Sequence, residues 1–89
     1  MSITIKHTIW GFHILIVSDD RTLFVRAIEA LKAIIPKNNR RYFPDGRYWF
    51  ISKRREKKLR EWIDRVKELG GVQVFEVQPA GNLASTKAA

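Results

Sequence analysis

Eighty-nine residues allow one small domain, and the absence of cysteine leaves it without disulfides or thiolate zinc ligands. Seventeen Lys and Arg face nine Asp and Glu, a net charge of +8 that favours a polyanionic partner. No apolar run nears the roughly 20 residues of a membrane span, and no basic-then-apolar leader opens the chain. An intracellular, reducing location is therefore expected, cytoplasmic or with the nucleoid or nucleus, with no membrane partner.

Residues 3–9 (ITIKHTI) alternate, with Ile3, Ile5, His7 and Ile9 on one face and Thr4, Lys6 and Thr8 on the other, which predicts a half-buried strand. Trp10-Gly11 interrupts it as a turn or bulge. Residues 12–17 (FHILIV) form a near-continuous apolar run, as in a central strand. Asp19 and Asp20 suit the start of a helix as cap and first-turn acids. From 21 to 35, Phe24, Ala27, Ile28, Leu31, Ile34 and Ile35 recur at helical spacing, and Pro36 ends the run. Residues 40–43 and 47–52 flank Pro44-Asp45-Gly46, which reads as a hairpin turn. Ser52 is placed to cap a second helix, whose apolar stripe is Leu59, Trp62, Ile63, Val66 and Leu69; Gly70-Gly71 stops it. Residues 72–77 (VQVFEV) predict the last strand, and 78–89 a tail without apolar period. Residues 1–77 thus make one α+β domain. Counting from the strand at 12–17, the order is β-α-β-β-α-β, the ferredoxin-like arrangement, with an added N-terminal strand and two helices on one sheet face.

The charge is concentrated. Between Pro36 and Lys67 lie twelve Lys and Arg against four Asp and Glu, which accounts for the whole excess; the remaining bases and acids cancel. On the strand after the turn, Trp49 and Ile51 point to the core and Tyr48 and Phe50 to the other face, with Tyr42 or Phe43 across the hairpin according to register. Flat rings beside Arg and Lys suit nucleobases and phosphates, although each ring taken alone could equally be sheet core. The segment KRREKK (53–58) puts five bases at the start of a helix, against the macrodipole, which is an arrangement an external anion would relieve. A solvated, slightly frustrated helix start is the plainer reading, since such charge costs are only tenths of a kcal/mol. Lys53, Arg54, Arg55, Lys57 and Lys58 are the expected phosphate contacts, joined by Arg40, Arg41 and Arg47; Tyr48, Phe50 and Tyr42 are the expected base contacts.

Ile35-Pro36, then Arg41-Tyr42-Phe43-Pro44-Asp45, then Trp49-Phe50-Ile51 before a second helix resembles the HARP domain of annealing-helicase proteins, over residues 12–69. The resemblance implies binding of branched or single-stranded DNA and makes Trp49 and Tyr42 framework residues of the hairpin. These residues hold no helicase motor, so fork remodelling is not implied. The basic cluster after Ser52 also exceeds the usual pattern of that family, and the last strand is extra.

Three other readings compete. The element order also fits an RNA-recognition motif, with Leu15-Ile16-Val17 and Gly46-Arg47-Tyr48-Trp49-Phe50-Ile51 as its two signatures, but Trp49 occupies a position that should be small. Pro44-Asp45 with Glu56-Lys57-Lys58 matches a nuclease spacing, yet Asp45 sits at a turn tip and Glu56 near a helix start. A basic inhibitor or accessory subunit docking on an acidic surface of a replication or transcription complex is the third. Two histidines without cysteine make a poor metal site, and no catalytic constellation is present. The expectation is a non-enzymatic nucleic-acid-binding protein, DNA favoured over RNA, without cofactor or metal.

Overall fold

The computed structural model describes residues 1–78; the expected tail lies, Gln78 apart, outside the described residues. Five strands and two helices follow in the order β1 (Ser2–His7), β2 (Gly11–Val17), α1 (Arg21–Ile34), β3 (Arg40–Phe43), β4 (Tyr48–Ser52), α2 (Glu56–Lys67) and β5 (Gln73–Val77). Single 3-10 turns at Lys37–Asn39 and Lys53–Arg55 precede β3 and α2. The fold is α+β, as expected.

The sheet order is β3-β4-β2-β1-β5, antiparallel except for the β1–β5 pair. The ferredoxin-like arrangement sets its fourth strand directly beside its first; here β1 lies between β2 and β5. The cause is local. Only three residues separate β1 from β2, too few for anything but an antiparallel neighbour, so β1 occupies the edge of β2 that β5 would otherwise take.

Alternation sends Ile3 and Ile5, Phe12 and Ile14, and Ile51 to one side, where they meet Ala27, Leu31 and Ile35 from the α1 segment and Leu59, Trp62, Ile63 and Val66 of α2. Both helices therefore cover the same face. Trp62 is fully buried, and its indole N–H donates to the Ala27 carbonyl at 2.9 Å, pinning α2 to α1. Asp20 caps α1, its Oδ1 accepting from the Leu23 N–H at 3.1 Å. The charged margin of the core is a knot of three elements. His7 Nε2 on β1 donates to Glu76 Oε1 on β5 at 2.8 Å, and Arg60 of α2 donates to Glu76 Oε2 at 2.7 Å. The Arg60 hydrogen bond, assisted by that of His7, holds the Glu76 carboxyl at about 2, well below its ordinary 4.5.

Candidate nucleic-acid interface

Among the described residues, no helix covers the opposite sheet face. Cross-strand pairing aligns Arg41, Phe50 and His13 in one row and Phe43 with Tyr48 in the next. Tyr48 and Phe50 lie on this face and Ile51 in the core, as alternation dictates; the register selects Phe43, not Tyr42, as their neighbour. The rings stand against one another. Tyr48 is stacked on Phe43 with centroids 5.0 Å apart and on His13 at 4.5 Å, so both of its faces are covered. Phe50 meets His13 edge-on at 5.8 Å, and the Arg41 guanidinium lies 5.2 Å from the Phe43 centroid. Burial, aided by Lys6, pushes the His13 imidazole below its ordinary 6.5, so at neutral pH it joins the stack as an uncharged ring.

Beside this row opens a groove of about 510 Å³ lined by Trp10, Asn38, Asn39, Arg40, Arg41, Phe43, Phe50 and Ser52. Its walls are built locally. The Thr8 hydroxyl accepts from the Trp10 and Gly11 N–H groups at 3.2 and 3.0 Å and donates to the Gly11 carbonyl at 2.9 Å. This one side chain shapes the β1–β2 turn and holds Trp10 outward, 74% exposed. Gly11 admits the hairpin. A Cβ there would stand 2.2 Å from the Ile51 carbonyl oxygen and 2.8 Å from the tip of the Phe50 ring, so only glycine lets Phe50 lie across the strand. On the other side Arg55 Nε donates to Asn39 Oδ1 at 2.8 Å. That bond fixes the amide orientation and leaves the Asn39 NH₂ as donor.

The expected phosphate residues divide. Lys53 and Arg54 are exposed on the 3-10 turn that follows Ser52 at the groove, and the Lys53 N–H donates to the Trp10 carbonyl at 3.2 Å. Arg41 is exposed beside Phe43. Arg55 joins them through Asn39. Arg40 lines the groove, but its Nε donates to the Ile35 carbonyl at 3.1 Å, closing the end of α1. The second helix does not start at Ser52: that hydroxyl caps the 3-10 turn, accepting from the Arg54 N–H at 3.4 Å, and α2 begins at Glu56. Three of the five clustered bases thus precede the helix rather than opposing its dipole. Lys57 and Lys58 lie on the solvent side of α2, across the sheet from the rings, with Lys58 3.5 Å from Glu61.

Tyr42 and Arg47 also part from the others. Tyr42 pairs with Trp49 and so faces the helical side, where its ring lies 5.1 Å from the indole. Arg47 lines a cavity there of about 140 Å³ with Tyr42, Trp49, Ile16, Phe24 and Ile28. The hairpin turn spans Pro44 to Arg47, and Arg47 rather than Gly46 takes the left-handed conformation, at φ 54°. Asp45 and Glu56 of the nuclease spacing are separated by the five residues of β4, about 17 Å at strand rise, and Glu56 is engaged with Arg60 at 3.8 Å. Trp10, Asn39, His13 and Thr8 complete a site that the sequence reading did not assign to them. Trp10 carried a usable signal: a large aromatic in a turn between two strands has no core position to fill.

Comparison with models of known families, with curated proteins and with solved structures finds no match for this chain.

Proposed function

We propose that this domain binds nucleic acid, DNA before RNA, through largely sequence-independent contacts, and that it works by binding and not by catalysis. The observation that carries the reading is the junction at Ser52. There an aromatic sheet face meets a groove lined by Arg40 and Arg41, and the chain runs on from Ser52 into the exposed Lys53 and Arg54. Apolar rings take bases and the cations take phosphates on either side of them. The HARP-like pattern of the hairpin favours single-stranded or branched DNA. Rings on the central strands β4 and β2 favour RNA as a second reading, because RNA-recognition motifs use such sheets. Setting β1 aside, we read the remaining strands as a ferredoxin-like sheet into which β1 has been inserted, which would serve either polymer.

Phosphates held one each by Arg41, Lys53, Arg54 and Arg55 on a single strand give a log–log salt slope of roughly −3. Titration of labelled single-stranded DNA, duplex, fork and RNA at several salt concentrations tests the proposal. Binding that is insensitive to salt, or confined to an acidic protein, overturns it.

A further inference from the structure

The stack Phe43–Tyr48–His13 leaves no Tyr48 face for a base, although Tyr48 is the most obvious ring in the sequence. The exposed ring near the cations is Trp10. It borders the groove opposite the hairpin rings, and Asn38 and Asn39 supply the groove's amides. We infer that the groove takes one unpaired nucleobase, laid against Trp10 with its hydrogen-bonding edge toward Asn38 and Asn39. The inference rests on the nucleic-acid reading above and adds to it the reason for a single-strand preference.

Three observations converge on that occupant. The volume, about 510 Å³, falls in the range of roughly 300–1,000 Å³ typical of small-molecule sites, ample for a nucleoside. The lining sets the rings of Trp10, Phe43 and Phe50 beside the polar ends of Asn38, Asn39, Arg40, Arg41 and Ser52, as a flat heterocycle with a polar rim requires. The Asn39 NH₂, fixed by Arg55, can donate to a keto oxygen of a base, and a base must leave the duplex stack before it can lie against Trp10. The surrounding charge is complementary as well: Arg40 and Arg41 line the groove, Arg55 holds Asn39, and the exposed Lys53 and Arg54 follow Ser52 in the chain, a supply of cations for the phosphates flanking an inserted base. Thr8 holds the turn and Gly11 admits Phe50, so the groove is formed before any ligand arrives.

The experiment compares three labelled oligomers of one length: a single strand, the same strand with abasic sites throughout its centre, and a perfectly paired duplex. Each is titrated against the full chain and against Trp10→Ala, with salt slopes measured for both. Trp10 is solvent-exposed, so the variant is expected to keep its circular dichroism and Tm. The full chain should bind the intact strand about tenfold or more above the other two, since one base–aromatic stack is worth roughly 5- to 150-fold. Trp10→Ala should erase that preference while the salt slope stays. Equal binding of intact and abasic strands, or a preference that survives in Trp10→Ala, overturns the inference but leaves the phosphate reading standing. Failure to bind any of the three oligomers overturns the reading beneath it, and the inference with it.

Discussion

Replacing Glu76 by Gln removes the charge at the centre of the His7–Glu76–Arg60 knot while keeping its shape. In the folded protein the carboxyl is held at about 2, against 4.5 for the free side chain. A group depressed in this way contributes stability above about pH 4.5, and the contribution drains away as the pH falls toward 2. Taken at face value the difference is about 3 kcal/mol. The Glu76 side chain is 36% exposed, however, and screening by water reduces this to about 1 kcal/mol. For a chain of this length that corresponds to a Tm lowered by roughly 4–8 °C at pH 7. The assay is thermal or urea unfolding of both proteins at pH 7, 4.5, 3 and 2. The gap should be fully open at pH 7 and close as acid protonates Glu76. A gap of constant size down to pH 2, or none at pH 7, refutes the claim that this ion pair fastens β5 to the body.

Trp62→Ala should cost about 3–5 kcal/mol, because it empties a fully buried site and removes the indole bond to the Ala27 carbonyl; an unchanged Tm would mean that α2 does not pack as described. Gly11→Ala should destabilise by about 1–3 kcal/mol and tilt Phe50 out of place, visible as shifted ring resonances. Arg47→Gly relieves a left-handed residue and should raise stability by up to about 1 kcal/mol, readable as a higher midpoint in urea. Lys53→Ala with Arg54→Ala should weaken binding to every sequence alike and flatten the salt slope by about 1–2, whereas Lys57→Ala with Lys58→Ala should leave it nearly unchanged. Equal effects of the two pairs would return Lys57 and Lys58 to the interface.

Much of the fold was legible because periodicity reports burial. The α2 stripe placed Leu59, Trp62, Ile63 and Val66 in the core, and alternation on β4 separated Ile51 from Tyr48 and Phe50. Pro36 and Asp20 marked the ends of α1 because each acts through its own backbone or its nearest neighbours. Position in the sheet was harder to read. The pattern of β1 shows that one face is buried, but it is silent on which strand lies at each edge, and the insertion of β1 between β2 and β5 follows from a three-residue connection competing with a distant strand. The knot at Glu76 was likewise invisible, since His7, Arg60 and Glu76 are brought together only by that strand order.

The site illustrates the same limit at finer scale. Composition located the cations and rings within one third of the chain, and strand parity put Tyr48 and Phe50 on the open face. Parity is set by a single strand; availability is set by two. Whether a ring can accept a base depends on what its cross-strand neighbours place against it, and here Phe43 and His13 close both faces of Tyr48. An upright stack of this kind makes a rigid wall rather than a flat platform, and a wall next to an exposed indole defines a slot. Charge follows the same logic. Lys57 and Lys58 are close to Lys53 in sequence, yet the change from 3-10 turn to α-helix at Glu56 swings them behind the sheet. The proposed interface is therefore narrower than the basic run that announces it: the groove beside Trp10, Arg41 of β3 and the exposed cations of the turn after β4.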